Sequence, residues 1–204
     1  MGMIGYLARV SPKQIEVLQS DPSLLLGATH IAAGVEAGDS VDDILAFLEQ
    51  QTGADKPREF SRSYEALRNS AIAAAKLNLA PPLSLETEWH VLHFLLTGGA
   101  AKCALPSGAL LGGDPIGEDL GYGPARLLMP LDVADFADFL DAQDPRELLT
   151  RFDMRKMRSA HVYNAPDDDD AERVALWVSV FVPKLRRYLA QARAEGAGLL
   201  LWTS

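Results

Sequence analysis

The sequence predicts a single α+β domain, residues 1–204, in which helices pack on a small sheet. Two apolar segments with the character of buried strands stand near the ends of the chain, at residues 3–10 and 198–202. Between them, apolar residues recur mainly at the three- and four-residue spacing of amphipathic helices. The chain has no internal repeat, linker or sharp change of composition, so one domain whose sheet includes both terminal strands is the economical arrangement.

Composition places the chain among ordinary globular proteins and disfavours nucleic acid as a partner. Its 204 residues are 48% hydrophobic and 23% charged, and the net charge is −9. A domain of this size can bury an adequate core without disulfides or metals. Binding phosphate backbones requires clustered Lys and Arg, and the two basic clusters, at 151–158 and 184–187, have helical spacing and are interpreted as solvated helix faces.

The sequence also predicts a cytoplasmic protein without a membrane segment. Cys103 is the single cysteine, which rules out an internal disulfide, fits a reducing compartment and suggests a buried, inert thiol. The uncharged runs 22–35 and 89–101 are shorter than the roughly 20 residues of a membrane helix. The first residues lack the basic and apolar regions of a signal peptide.

Capping residues define the helices of the first half. Ser11, Pro12 and Gln14 form the pattern of a capping box with proline at the first helical position, so a helix starts there and ends before residue 21. Ser40 caps a second helix that finishes near residue 53. The alanine-rich stretch 62–79 predicts a third helix, closed by a pair of prolines.

The chain from residue 83 to residue 164 is predicted to contain one further strand and several helices. Residues 83–99 show helical spacing, with Ser84 as the expected cap and glycines as the stop. Residues 103–124 are rich in glycine and proline and are predicted to be a long functional loop, and residues 125–129 a strand. A helix at 131–140 and two short helices follow.

The longest predicted helix, residues 171–194, carries a continuous apolar stripe and one internal proline. The acidic run 167–170 lies at its positive end, where carboxylates stabilise the helix dipole, so helix capping is the preferred explanation over cation binding.

One candidate site is a polar face on the helix predicted at 83–99. Glu86, His90 and His93 are spaced so that all three fall on one side, opposite the leucines. Two imidazoles and a carboxylate are metal-binding groups, with Glu118, Asp119 or His161 as additional ligands. We considered a metal site, a cleft without metal, and structural hydrogen bonding, and the sequence leaves all three open.

A second candidate is the glycine-rich segment that ends in Arg126. Glycines let backbone amides approach a ligand closely, and the planar fork of Arg126 suits a carboxylate or phosphate. The glycine spacing matches no nucleotide-binding fingerprint. The alternative is a structural loop in which Arg126 pairs with Glu118 or Asp119.

Four segments together resemble the YfbM-like family of bacterial proteins. They are Met1-Gly2-Met3-Ile4-Gly5-Tyr6, Trp89-His90-Val91-Leu92-His93-Phe94-Leu95-Leu96-Thr97-Gly98, Gly121-Tyr122-Gly123-Pro124-Ala125-Arg126 and Leu199-Leu200-Leu201-Trp202. The resemblance spans nearly the whole chain in the same order. It implies a single α+β domain and a bacterial cytoplasmic protein, and it implies no reaction, cofactor or catalytic residue.

The preferred functional hypothesis is a cleft between the helix face of His90 and His93 and the loop that ends at Arg126. It would bind a small anionic ligand, with a histidine as acid or base oriented by Glu118 or Glu86, Arg126 on the anion and Tyr122 as a wall. The second hypothesis is an acidic interaction module that neutralises a basic partner or toxin. The sequence leaves open the ligand, any cofactor, the oligomeric state and whether the protein is an enzyme.

Overall fold

The two terminal strands belong to one sheet, as the sequence predicted, and they lie side by side and antiparallel in it. The computed structural model describes residues 2–52, 58–167 and 170–204. Its sheet has five strands in the order β2-β1-β5-β4-β3. The strands are β1 (Gly5–Val10), β2 (Leu83–Ser84), β3 (Asp114–Asp119), β4 (Pro124–Leu128) and β5 (Gly198–Thr203). The single α+β domain predicted from the sequence is confirmed.

Helices cover both faces of this sheet, which explains why the central strands are almost entirely apolar. Along β1, Ala8 and Val10 pack into one hydrophobic cluster, whereas Leu7 packs into the other. Successive side chains of a strand point to opposite faces. A strand buried on both faces therefore reads as a continuous apolar run, which is how residues 198–202 read.

Four helices from the first half of the chain lie on one side of the sheet. They are α1 (Pro12–Ser20), α2 (Leu24–Ala37), α3 (Val41–Gln51) and α4 (Arg58–Ala75). The capping box predicted for α1 is present, and the Ser40 hydroxyl accepts from the Asp43 amide at the start of α3. The end predicted for α3 near residue 53 lies outside the described residues. Helix α4 begins four residues before the predicted start.

Helix α2 was not predicted from the sequence. Its N-cap residue, Ser23, makes no side-chain capping bond, so the usual start signal is missing. Its place depends on tertiary packing against α4: a Cβ at Gly27 would approach the Ala71 nitrogen to 2.2 Å. The Ser70 hydroxyl also accepts from the Gly27 amide and donates to the Ser23 carbonyl.

Five helices that follow β2 in the chain cover the opposite face. They are α5 (Trp89–Thr97), α6 (Pro130–Asp141), α7 (Pro145–Thr150), α8 (Met154–Ser159) and α9 (Ala171–Ala194). The bounds of α9 match the prediction, and its apolar stripe is buried against the sheet. Among the described residues, no helix has both the length and the apolar character needed to cross a membrane.

Two segments, one before α5 and one before β4, differ from the prediction. Ser84 lies in β2 and does not cap a helix; α5 starts only at Trp89, after a 3₁₀ turn at Glu86–Glu88. The predicted loop 103–124 contains β3, whose residues are mostly exposed. An exposed edge strand lacks the apolar pattern by which strands are recognised, so composition alone indicated a loop. Cys103, predicted to be buried, is exposed.

Two arginines of the basic clusters bind backbone carbonyls. The interpretation of these clusters as solvated helix faces was therefore wrong in part. Arg151 donates to the carbonyls of Leu95 and Leu96 at the C-terminal end of α5. Arg186 binds the Leu140 carbonyl near the end of α6. Both guanidinium groups therefore satisfy carbonyls that a helix end leaves without partners.

Asp170, the last residue of the acidic run, makes no capping hydrogen bond to α9, in contrast to the prediction. Its carboxylate instead accepts from the Asp167 amide and pairs with Arg173. Residues 168 and 169 lie outside the described residues.

Candidate functional site

His93 lies within the core and not on an open polar face. Its side chain has no solvent exposure, and its Nε2 lies 3.0 Å from the Ala101 carbonyl oxygen, to which it donates. Burial lowers the pKa of His93, the charges of His90 and Arg126 act in the same direction, and the bond to Ala101 opposes the shift. The neutral ring, with its proton on Nε2, is therefore the form that suits the fold.

His90 is held by two backbone groups. Its Nδ1 accepts from the Tyr163 amide at 2.8 Å. Because that nitrogen accepts, Nε2 carries the proton and donates to the Ala100 carbonyl at 2.8 Å. The ring also stacks on Trp89, with centroids 4.9 Å apart. Both histidines thus anchor the segment that follows α5, which corresponds to the structural alternative considered from the sequence.

Glu86 does not share the helical register of the histidines. It lies in the 3₁₀ turn before α5, is exposed, and has a positive φ of 54°. The helical spacing used in the prediction does not extend to it. The neighbouring Glu88, which the sequence analysis did not single out, is instead the buried carboxylate and pairs with Arg173 at 2.8 Å. This pair joins the start of α5 to the start of α9.

Arg126 is a half-buried cation without a carboxylate partner. It lies on β4 opposite Leu201, and its neighbours Ala125 and Leu127 pack on the α1–α4 side, so its side chain projects to the α5 side. Among the described residues no carboxylate lies within ion-pair distance, and the only bond is a long one, 3.5 Å, to the Gly112 carbonyl. Burial lowers the pKa of Arg126.

A cavity of about 290 Å³ opens beside Arg126 where β4 begins and β5 ends. Arg126 and Lys102 supply positive charge, Trp89 and Tyr122 supply aromatic surface, and Thr203 supplies a hydroxyl. Neither His90 nor His93 is part of its lining. The volume lies at the lower end of the range for small-molecule sites.

The loop between β3 and β4 forms one wall of this cavity. Asp119 Oδ1 accepts from the amides of Gly121 and Gly123 at 2.6 and 2.9 Å. Both glycines have positive φ, which glycine adopts without steric cost. Tyr122, at the tip, is 57% exposed. Asp119 is thus engaged with the loop, and neither it nor Glu118 forms the ion pair with Arg126 that the structural alternative required.

Glu118 belongs to a different concavity. It lines a cavity of about 580 Å³ between β3 and α2, together with Asp21 and Leu25. The structure therefore brings Tyr122 and Arg126 to one cavity and places Glu118 at another, Glu86 on an exposed turn, and the histidines outside the lining of either cavity. In the described part of the chain, no group of three or more His, Cys, Asp or Glu side chains is arranged to hold a metal ion.

Two lining residues, Trp89 and Lys102, were not singled out as site residues in the sequence analysis. Trp202 also belongs to the lining, but it is only 3% exposed and its ring stacks on Tyr6 on the α1–α4 side of the sheet, opposite the Arg126 side chain. Only the strand pairing that sets Arg126 beside Leu201 shows that residues near 126 and 202 meet.

The architecture defines a three-layer α+β domain with an aromatic, cationic cleft at one end of its sheet. A family model described as a domain of unknown function, DUF1877, matches residues 1–202, so the chain belongs to this family. A search of curated proteins found no match.

Among solved structures, the chain is similar to YfbM from Escherichia coli, whose title describes a protein of unknown function. The two are 18% identical, the similarity covers 98% of this chain and 99% of the other, and the TM-score is 0.61. At this identity the likeness supports the fold and no activity.

Proposed function

We propose that the protein binds a small anionic ligand in the cleft beside Arg126. The observation that carries this proposal is a half-buried guanidinium that lines a cavity and has no carboxylate partner among the described residues. Removing a charge from water is costly unless it is paired. A bound anion would supply the missing partner, and Lys102 adds a second positive charge at the same cavity.

The proposed cleft differs from the one expected from the sequence in the groups that line it. Arg126 and Tyr122 are retained as the anion-binding group and a wall. The histidines are not assigned an acid or base role, because His93 is fully buried and both nitrogens of His90 bind backbone groups. The proposal is therefore ligand binding and includes no reaction.

Thermal unfolding with three probes of similar shape tests the proposal. The probes are 2-naphthoate, 2-naphthyl phosphate and the uncharged 2-naphthamide. A ligand that binds only the folded state raises its stability by mass action. At a concentration tenfold above Kd, at least one anion should raise Tm by about 3–5 °C, and the amide should not.

Two arginine variants locate the effect. Arg126→Gln should abolish the shift, whereas Arg187→Gln, at an exposed arginine on α9, should retain it. If neither anion stabilises the protein more than the amide, or if Arg126→Gln leaves the shift intact, the proposed function is wrong.

A further inference from the structure

Resting on the proposed function, we infer that the anion at Arg126 is the carboxylate of a flat, largely apolar molecule, and not a phosphate ester. Three features of the cleft distinguish these classes: the backbone amides of its loop, the placement of its two cations, and the character of its walls.

The loop amides that could bind phosphate are already used. Phosphate sites built on glycine-rich loops depend on several backbone N–H groups that converge on the anion. Here the amides of Gly121 and Gly123 donate to Asp119, at 2.6 and 2.9 Å. These two amides are therefore not available to a phosphate. Anion binding is left to side chains.

The two cations differ in their surroundings. Arg126 is half-buried and has only a long bond to the Gly112 carbonyl. Lys102 is exposed and donates to the Gly113 carbonyl at 3.2 Å, so water and that carbonyl already satisfy much of its hydrogen bonding. Interactions between solvated charges are weak. The cleft therefore offers one strong positive charge, which matches a monocarboxylate better than a phosphate ester carrying about −1.5 to −2.

The guanidinium is compatible with this assignment but does not itself distinguish the two classes. Its planar fork can donate two parallel hydrogen bonds to the two oxygens of a carboxylate, and it suits a phosphate as well.

The remaining walls favour an apolar, flat body. The cavity of about 290 Å³ is larger than a carboxylate requires, and the aromatic side chains of Trp89 and Tyr122 contribute to its lining. Aromatic walls favour stacked or edge-on contacts with planar groups. Burying a ring against them adds affinity that the anion alone lacks.

Calorimetric titration of the full chain with the same three probes tests the assignment. We expect 2-naphthoate to bind at least tenfold more tightly than 2-naphthyl phosphate and 2-naphthamide. Arg126→Gln should reduce the affinity for 2-naphthoate at least tenfold. Lys102→Gln, which removes the exposed charge, should change it less than threefold.

The outcomes separate this inference from the proposed function. If 2-naphthyl phosphate binds as tightly as 2-naphthoate and depends on Arg126, the carboxylate assignment is wrong and the anion site stands. A dependence on Lys102 as strong as that on Arg126 would also overturn the assignment. If neither anion binds better than the amide, or binding survives Arg126→Gln, both proposals fail.

Discussion

The histidines of α5 and Arg126 of β4 were assigned to one candidate site, yet their environments differ. His90 uses both ring nitrogens to bind backbone groups, and His93 binds the Ala101 carbonyl from within the core. Arg126, which lies close enough for its charge to affect the pKa of His93, has no carboxylate partner among the described residues.

This difference separates polar groups that maintain the fold from those available to a ligand. A buried polar group with its partners in the same chain stabilises the folded state, and removing it leaves those partners unsatisfied. A partly buried charge without a partner costs stability, and it can recover that cost when a ligand binds. Substitutions at the two places should therefore act in opposite directions.

The largest expected effect is at His93. His93→Ala removes a fully buried ring and the donor to the Ala101 carbonyl, and should lower the free energy of unfolding by about 3 kcal/mol. Urea denaturation measures this loss. His161→Asn, at an exposed residue whose positive φ asparagine tolerates, should stay within about 0.5 kcal/mol. A loss below about 1 kcal/mol at His93 would contradict its structural role.

The pH dependence of stability should report the same burial. Because the pKa of His93 is lowered in the folded state, the unfolded chain binds this proton more readily. The contribution of His93 to the free energy of unfolding is fully present above the unfolded-state pKa of about 6.5. It is lost as the pH falls through the folded-state pKa. One proton limits the slope to about 1.4 kcal/mol per pH unit. Urea denaturation between pH 8 and pH 5 should show that the free energy of unfolding falls less with decreasing pH in His93→Gln than in the unsubstituted protein. Equal slopes of this free energy against pH would contradict the expectation.

Substitution of Arg126 should change the free energy of unfolding in the opposite direction. Arg126→Met keeps an apolar side chain of similar reach and removes a half-buried charge, so the free energy of unfolding without ligand should rise by about 1 kcal/mol. Arg187→Met, at an exposed position, is the matched control and should change little. Destabilisation by Arg126→Met comparable to that by His93→Ala would place Arg126 among the groups that maintain the fold.

The smallest effect is expected in the loop wall of the cleft. Asp119→Ala removes the acceptor of two loop amides, and water can replace it because the loop is exposed. Stability should change by about 1 kcal/mol or less, whereas hydrogen exchange at Gly121 and Gly123 should accelerate about fivefold. Asp114→Ala, at an exposed residue of β3, should leave this exchange unchanged. Unaltered exchange in Asp119→Ala would show that the carboxylate does not hold the loop.

Local sequence signals were sufficient where an element carries its own start, stop or period. The capping box at Ser11, the left-handed Gly98 after α5 and the apolar stripe of α9 each depend on residues within a few positions. These signals failed for α2, whose N-cap residue lacks a capping bond, and for β3, an exposed edge strand. These two elements are defined by their neighbours in space.

The candidate site was predictable only in part for the same reason. Arg126 and Tyr122 were recognised because a cation and an aromatic residue in a glycine-rich segment are unusual. The histidines were recognised too, but helical spacing does not show whether the opposite face of a helix meets solvent or another segment. The carbonyls of Ala100 and Ala101, which engage both rings, come from the chain after α5.

The sequence by itself determined the α+β class, most helices and the burial of both terminal strands, because hydrophobic period and capping chemistry act over short distances. The tertiary structure alone decided which polar groups have partners. Pairing β4 with β5 brings Arg126 to the end of the strand that carries Trp202. These residues are far apart in the chain, and no local sequence pattern indicates that they are in contact.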